Sequence, residues 1–328
     1  MNMNKKICIA IVLFCMAMLT LMGCASSIKH EKTATKDEKL SIVTTIFPPY
    51  DFAKVIGEDK VEVIMLLAPG VESHSYEPTP QDIIKISESD LFIYVGGESD
   101  AWVEGIMDSI DRKVKTLTLM DCVEAVAEEH VEGMDAGEEK ANGLNDMLEM
   151  EYDEHVWTSP RNASMIVTKI TDTLCELDED NEALYRRNQN DYQIKLQDLD
   201  RAYQDMVDHA AKKELVFGDR FPFRYLVDAY GLNYYAAFPG CSSETEPSAA
   251  TIAFLSNKVK EDKIPVVLYL ELSNHKIADA IAESTGVRTA MLHSCHNISK
   301  DEVEDGVSYI SLMEQNLEVL KGALQSWP

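Results

Sequence analysis

Short apolar segments alternate with amphipathic helical segments on both sides of one long helical stretch, and this pattern limits the fold more than any other feature. The predicted strands before the stretch are "SIVTTI", "VEVIMLL", "DLFIYVGG" and "VKTLTL". Those after it are "ELVFG", "NYYAAF", "IPVVLYLEL" and "RTAML". Strands that are apolar on both faces and alternate with helices are typical of a parallel sheet covered by helices. The sequence therefore predicts an α/β fold with two parallel-sheet lobes.

The long helical stretch, residues 159–212, is predicted to join the lobes. Apolar residues recur there every three or four positions, with one break at "DEDNEA". A helix of about thirty residues would be about 45 Å long, enough to cross a lobe as a rigid connection. We expect an N-terminal lobe over 41–158, a C-terminal lobe over 213–328, and a ligand cleft between them beyond the carboxyl ends of the strands.

The start of the chain is predicted to be an export signal. Residues 1–23 contain Lys5 and Lys6, an apolar run from Ile7 to Met22, and then a glycine. The apolar run is too short for a comfortable membrane span, which favours a cleaved signal peptide. Residues 24–40 are rich in Ser, Thr and charge, so we expect a flexible tether and an extracytoplasmic protein.

The chain is strongly acidic. Its formal net charge is −27, and removing Lys5 and Lys6 with the signal makes it −29. Such a charge repels nucleic acid and anionic membrane surfaces and attracts cations. The segment 126–154 contributes many acids, and its composition predicts a mobile insertion.

Four cysteines follow the tether. Cys122 and Cys175 are predicted to be buried thiols. Cys241 and Cys295 lie in predicted loops and are the better candidates for a disulfide in an oxidising compartment, but the sequence does not determine the pairing.

Four possible metal ligands follow strands or lie in loops that point toward the predicted cleft. They are His74, His155, Asp219 and His293. Three imidazoles and one carboxylate can complete a tetrahedral zinc shell, whereas manganese prefers more oxygen ligands. Four protein ligands leave no position for a reacting water, so this set would bind a metal without catalysis.

Several of these assignments have alternatives. His74 could be a surface residue, and Asp219 could pair with Arg220 or cap the next helix. His293 competes with His296 in "HSCHN", where Cys295 could also act as a thiolate ligand.

Motifs of hydrolases and nucleotide-binding enzymes are absent from the sequence. It contains no H-E-x-x-H, G-x-S-x-G or G-x-x-x-x-G-K-[ST]. Glu271, after "VVLYL", is the one carboxylate placed to act as a base, and we expect it instead to support a ligating histidine. We therefore expect a binding protein and not an enzyme.

Several segments together resemble one known family. "TTIFPPYDFAKVIG", "LLAPGVESHSYEPTPQDI", "HVWTSPRNA", "ETEPS" and "YISLMEQNLEVLKGAL" resemble the zinc and manganese solute-binding lipoproteins of bacterial ABC importers, from about Ser41 to the end. The resemblance implies a metal held between two α/β lobes and delivered to a membrane permease, with His74 and His155 as the first two ligands. The segment "LMGCASS" resembles a lipobox, which implies a lipid anchor at Cys24.

The second half departs from the family pattern. The family's third ligand matches Arg220, which cannot bind a cation, so a shift of one residue would make Asp219 the ligand. Its last ligand is usually Asp, and here "LHSCHN" offers His293. The resemblance with these changes implies a lean toward zinc over manganese in a monomeric, membrane-anchored protein. The alternative is a surface adhesin or scaffold in which the metal is structural.

Overall fold

The computed structural model describes residues 39–71, 76–110, 113–135, 151–242 and 246–325. From Lys39 onward the chain forms one compact unit. The predicted signal peptide, most of the tether, Cys24 and His74 lie outside the described residues. Among the helices within those ranges, none is long and apolar enough to cross a membrane.

The N-terminal lobe contains a parallel four-stranded sheet in the order β2-β1-β3-β4. Its strands are β1 (Leu40–Thr44), β2 (Val61–Met65), β3 (Leu91–Tyr94) and β4 (Lys115–Thr118). The helices between them are α1 (Phe47–Gly57), α2 (Pro80–Glu88) and α3 (Trp102–Ser109). Helix α2 begins with a capping box, in which Thr79 and Asp82 satisfy each other's backbone N–H groups.

Two helices form the connection between the lobes. Helix α4 (Pro160–Leu177) is capped at its N-terminus by Ser159, whose side chain accepts a hydrogen bond from the Arg161 N–H. Helix α5 (Glu182–Asp208) follows a short turn and has 27 residues, which gives a length of about 40 Å. The turn coincides with the break at "DEDNEA".

Helix α5 contacts helix α1 and the C-terminal helix that contains Met313. The Tyr192 ring packs edge-on against Phe52 of α1, with centroids 5.9 Å apart. The buried Tyr203 hydroxyl donates to the Met313 carbonyl oxygen at 2.8 Å. The long helix thus fixes α1 relative to the C-terminal helix that contains Met313.

The C-terminal lobe repeats the first, with a parallel sheet in the order β6-β5-β7-β8. Its strands are β5 (Glu214–Phe221), β6 (Asn233–Pro239), β7 (Val266–Tyr269) and β8 (Arg288–Met291). Its helices are α6 (Arg224–Tyr230), α7 (Ala249–Glu261), α8 (Lys276–Thr285), α9 (Lys300–Asp305) and α10 (Tyr309–Ala323). The α/β fold predicted from the alternation is confirmed.

Both ends of the acidic segment 126–154 are bound to the rest of the protein. We call residues 126–135 the acidic arm. Ala127 pairs with Tyr152 in an antiparallel bridge, and the Asp135 N–H donates to the Ala237 carbonyl of β6 at 2.9 Å. The prediction of a mobile insertion is wrong for these ends, because the Asp135 N–H and the Tyr225 hydroxyl bind them to the C-terminal lobe; residues 136–150 lie outside the described residues.

Tyr225 joins both ends of the acidic segment. Its hydroxyl donates to the Asp153 carbonyl at 2.8 Å and accepts from the Val126 N–H at 3.2 Å. We expect Tyr225→Phe to lower the free energy of unfolding by about 1–3 kcal/mol, because two backbone groups lose their partner. Urea titration measures the change. Tyr152→Phe, at a tyrosine that is 45% exposed, is the control; equal effects of the two substitutions would contradict this account.

Candidate metal-binding site

A small cavity lies at the carboxyl ends of the strands. Its volume is about 30 Å³, which is room for one or two water molecules. All four strands of the C-terminal sheet end beside it, and Val71 reaches it from the N-terminal lobe. This is the position where parallel sheets bind ligands. The lining residues are Val71, His155, Arg220, Pro222, Gly240, Leu270, Glu271, Leu272, Ser294, His296 and Asn297.

His155 is a buried histidine in this cavity with a fixed orientation. Asp153 Oδ1 accepts the His155 backbone N–H at 2.8 Å and lies 3.2 Å from Nδ1 of the ring. Burial opposes a charge on the ring, but the neighbouring Asp153 carboxylate raises the pKa of His155. Because Asp153 engages Nδ1, Nε2 is the nitrogen that can coordinate a metal.

Gly240 allows the chain to pass close to His155. A Cβ at this position would lie 2.8 Å from the Phe221 carbonyl oxygen and 3.3 Å from His155 Cε1. A side chain there would therefore crowd the imidazole. Because Gly240 has no side chain, space remains beside the His155 ring.

His296 faces His155 across the cavity. The centroids of the two imidazoles are 5.7 Å apart and their planes meet at 83°. His296 also lines a second cavity of about 20 Å³, bordered by Thr45, Leu67 and Val95 after the strands of the first sheet. The structure thus brings His155 and His296 together, and His296 lies between the ends of the two sheets.

Glu271 positions the loop that contains His296. Its carboxylate accepts the Ser294 N–H at 2.7 Å and the Ser294 hydroxyl at 2.5 Å. Ser294 Oγ accepts the His296 backbone N–H at 3.2 Å. The supporting role expected for Glu271 is consistent with these contacts, which act on the backbone of the loop.

Asn297 binds the same loop to the N-terminal lobe. Its side-chain amide donates to the carbonyl oxygens of Ala68 and Val71, at 2.8 and 2.9 Å. The Phe47 N–H at the start of α1 donates to the His296 carbonyl at 3.1 Å. A loop of one lobe is therefore held by the backbone of the other.

His293, one of the predicted ligands, is buried but does not line the cavity. Its Nδ1 accepts the Cys295 N–H at 2.9 Å. Its Nε2 lies 3.3 Å from Glu302 Oε1, an electrostatic contact without good hydrogen-bond alignment. The Cys295 bond requires a lone pair on Nδ1, so the ring hydrogen is on Nε2. A charged ring would also have a hydrogen on Nε2, and in both states this nitrogen is unsuited to a metal.

Carboxylates on either side stabilise the His293 ring. Burial works against a charge, but Glu271 and the contact with Glu302 raise the pKa of His293. Asn316 binds the backbone on both sides of the residue, since Oδ1 accepts the His293 N–H at 2.8 Å and Nδ2 donates to its carbonyl at 2.7 Å. These contacts make His293 a support for the loop between β8 and α9.

Asp219, another predicted ligand, binds backbone amides. Its carboxylate accepts the N–H of Arg220 at 2.9 Å and that of Leu270 at 3.2 Å. The β5–β6 pairing shifts register between Phe217 and Arg220. Beyond this irregularity it is Arg220, and not Asp219, that lines the cavity.

The remaining predicted residues have separate outcomes. His74 lies outside the described residues and stays a prediction. Cys241 and Cys295 are free thiols, so the possible disulfide between them does not form. Within the described ranges, no three His, Cys, Asp or Glu side chains form a ready metal cluster. Sequence reasoning left His296 as an alternative to His293, and the doubled histidine of "HSCHN" was its signal.

The contact between Glu302 and His293 predicts a pH dependence of stability. Glu302 is in electrostatic contact with His293 and accepts the Ser299 N–H, and together these lower the pKa of Glu302 from 4.5 to about 2. The folded pKa is below the unfolded one, so the stabilisation is present above pH 4.5 and is lost as the pH falls toward 2. We expect Glu302→Gln to lower the free energy of unfolding by about 1 kcal/mol at pH 7.

Urea unfolding of wild type and Glu302→Gln at several pH values checks this expectation. The difference between the two proteins should shrink below pH 4.5, the unfolded pKa of the carboxyl. Glu304→Gln, at an exposed position of α9, is the matched control. A difference that persists unchanged at low pH would contradict the proposed contact.

Comparison with known proteins identifies close relatives of this chain. It is 35% identical over 310 residues to the high-affinity zinc uptake system protein ZnuA of Bacillus subtilis, covering 93% of this chain and 94% of that protein. It is 35% identical over 320 residues to the zinc-binding lipoprotein AdcA of Streptococcus pneumoniae, covering 97% of this chain and 60% of AdcA. The chain thus spans about three-fifths of AdcA.

The fold agrees with a solved structure of the same group. The Zn(II)-bound ZnuA-like domain of S. pneumoniae AdcA superposes with a TM-score of 0.72 at 32% identity, covering 88% of this chain and all of that domain. The family profile described as "Zinc-uptake complex component A periplasmic" matches residues 42–323. The chain therefore belongs to the ZnuA family of periplasmic zinc-uptake components.

Proposed function

We propose that this protein captures a zinc ion outside the cytoplasm and delivers it to an ABC permease. The observation that carries the proposal is the pairing of His155 and His296 in one cavity at the carboxyl ends of the strands. Membership of the zinc-uptake family supports the same cargo. As a capture protein it performs no catalysis.

The proposed ligands are the imidazoles of His74, His155 and His296. Val71, three residues before His74, lines the same cavity as the other two. This set replaces the predicted Asp219 and His293, whose polar atoms are engaged with backbone amides and with Glu302. Nitrogen donors favour zinc, whereas manganese prefers carboxylate and other oxygen donors.

Membrane attachment and charge fit this role. A diacylated or triacylated Cys24 would hold the protein beside its permease, since each buried lipid methylene contributes about 0.8 kcal/mol. The net charge of −27 for the whole sequence raises the local cation concentration. We propose that the protein acts as a monomer, and that zinc and not manganese is its physiological cargo.

Removing a proposed ligand should greatly weaken zinc binding. We expect His155→Ala and His296→Ala each to lower zinc affinity by more than about 100-fold, since loss of a ligand costs more than loss of a supporting contact. Competition titration with a chelator, together with elemental analysis, measures affinity and stoichiometry. His275→Ala is the control, because His275 is exposed and binds Asp279 on α8.

Two further measurements separate this proposal from its alternatives. His293→Gln should weaken zinc binding much less than His296→Ala; the reverse order would restore the ligand set predicted from the sequence. The protein should also stay folded when a chelator removes the zinc, because a delivered cargo must leave a folded carrier. Unfolding on chelation would instead indicate a structural metal in an adhesin or scaffold.

Asp153 should affect zinc binding without touching the metal. Asp153→Asn replaces the carboxylate that orients Nδ1 of His155, and we expect zinc affinity to fall about 10–100-fold. Asp198→Asn, on the exposed surface of α5, is the matched control. An unchanged zinc affinity in Asp153→Asn would show that His155 does not need this partner.

A further inference from the structure

A buried amide of the C-terminal lobe binds a turn of the N-terminal lobe. In this turn the Val71 N–H donates to the Ala68 carbonyl oxygen at 3.1 Å, and Gly70 has a φ of 82°. Proline at its second position and glycine with a positive φ at its third are typical of a type II turn. The Asn297 side chain donates to the carbonyl oxygens of Ala68 and Val71. The Gly70 N–H donates to the Ile298 carbonyl at 2.8 Å. We call Asn297 together with this turn the interlobe clasp.

The clasp uses the whole Asn297 amide. Each N–H of Nδ2 donates to one carbonyl, at 2.8 and 2.9 Å, and Oδ1 accepts the Ile298 N–H at 2.8 Å. Asn297 is only 2% exposed. A carboxylate in this place would lack the donors, and an apolar side chain would lack the donors and the acceptor. Loss of the amide would therefore leave two carbonyl oxygens without their partner in the interior.

The clasp also forms part of the cavity wall. Val71 and Asn297 both line the cavity, one from each lobe, and His296 directly precedes Asn297. Val71 is 42% exposed, so it contacts the cavity on one side and solvent on the other. Separation of Val71 from Asn297 would therefore open the cavity toward the outside.

The other contacts between the lobes are harder to separate. Buried side chains of both lobes and of α5 form one continuous hydrophobic core, which includes Phe52, Tyr203, Phe217 and Leu320. Rotation of one lobe away from the other would expose part of this core, at a cost proportional to the apolar area. Opening the clasp breaks only the hydrogen bonds described above, and water can replace their partners at a modest net cost. The clasp is thus the contact that opens first.

We propose that Asn297 is a positioning residue that sets the lifetime of bound zinc, because the ion leaves when the Asn297 amide releases the turn Ala68–Val71. This inference rests on the proposed zinc function and adds the route by which the cargo leaves. The closed clasp holds Val71 against the loop that contains His296. The open clasp frees this wall of the cavity while the core stays packed. Because the clasp uses the whole amide, Asn297 controls the rate of exchange without contributing a donor to the metal.

Asn297→Leu tests the clasp from the C-terminal lobe, since leucine has a similar size but neither donor nor acceptor. Zinc dissociation from the whole protein is measured by stopped-flow mixing with an excess of chelator. We expect it to become about 10–100-fold faster, because buried carbonyl oxygens lose their partner. The visible absorption of cobalt(II) bound in place of zinc should stay as in wild type. Asn188→Leu is the matched control, because Asn188 is a buried asparagine that binds the Ile56 carbonyl between α5 and α1.

Gly70→Ala tests the clasp from the N-terminal lobe and keeps Asn297. A Cβ at Gly70 would meet no atom of the described residues within 4 Å, so the substitution acts through the positive φ that the turn requires. We expect zinc dissociation to become about fivefold faster or more. Gly231→Ala, at a φ of 65° before the amino end of β6 and equally open among the described residues, should release zinc at the wild-type rate.

Hydrogen exchange gives an independent measure of the clasp. The N–H of residue 70 is bonded to the Ile298 carbonyl only while the clasp is closed. In the zinc-loaded protein, its exchange should become faster in Asn297→Leu and in Gly70→Ala, in parallel with zinc dissociation, and stay unchanged in both controls.

Four results would overturn the inference. Unchanged zinc dissociation in folded Asn297→Leu and Gly70→Ala would show that zinc leaves by another route, and would leave the zinc function intact. Faster dissociation with a changed cobalt spectrum would make Asn297 part of the metal coordination instead. An equal acceleration by Asn188→Leu would reduce the effect to a general loss of rigidity. A wild-type protein that binds no zinc would remove the proposed function and the inference together.

Discussion

The hydrogen bond from the Trp157 indole to the Ser294 carbonyl is the interaction on which the site depends. It is 2.8 Å long and lies in the buried core, where Trp157 is fully enclosed. Trp157 follows His155 by two residues, and Ser294 precedes His296 by two. The Tyr309 hydroxyl of α10 donates to the Trp157 carbonyl at 2.6 Å. The distance between the two histidines is thus set by a bond between their loops in a low-dielectric interior, where such bonds are strong.

The rest of the structure keeps those loops from moving apart. Helix α5 packs on α1 and on α10, Asn297 binds the carbonyls of Ala68 and Val71, and the acidic arm is bonded to β6. Each contact joins segments that lie far apart in the sequence. A site built in this way needs little reordering when a metal enters, and preorganisation of this kind raises affinity by reducing the cost of binding.

The sequence predicted the fold well because strands and helices follow local periodicity. The eight strands, the helices between them and the break in the connection at "DEDNEA" all follow from patterns a few residues long. His155 was also located correctly at the cavity, although its role as a ligand stays a prediction. The acidic arm was missed because its order comes from a backbone hydrogen bond to β6 and from the Tyr225 hydroxyl, which composition does not reveal.

Two of the predicted ligands, Asp219 and His293, do not line the cavity. Arg220 and His296 line it instead, and the cause in both cases is the local backbone conformation. At the end of β5 the register shift brings Arg220 to the cavity while Asp219 binds the backbone. Between β8 and α9, Cys295 adopts a positive φ of 61°, which turns the chain so that His293 and His296 face different neighbours. A positive φ is uncommon for a residue with a side chain, so no sequence pattern indicated it.

The acids that the structure describes around the cavity support the loops. Asp153 orients His155, Asp219 binds two backbone amides, and Glu271 holds Ser294. Recruiting any of these carboxylates as a ligand would break the contact that positions a histidine or a strand end. An oxygen-rich shell of the kind manganese prefers would therefore disrupt the scaffold that holds the imidazoles. The preference for zinc that we propose thus follows from how the loops are held as much as from which residues face the cavity.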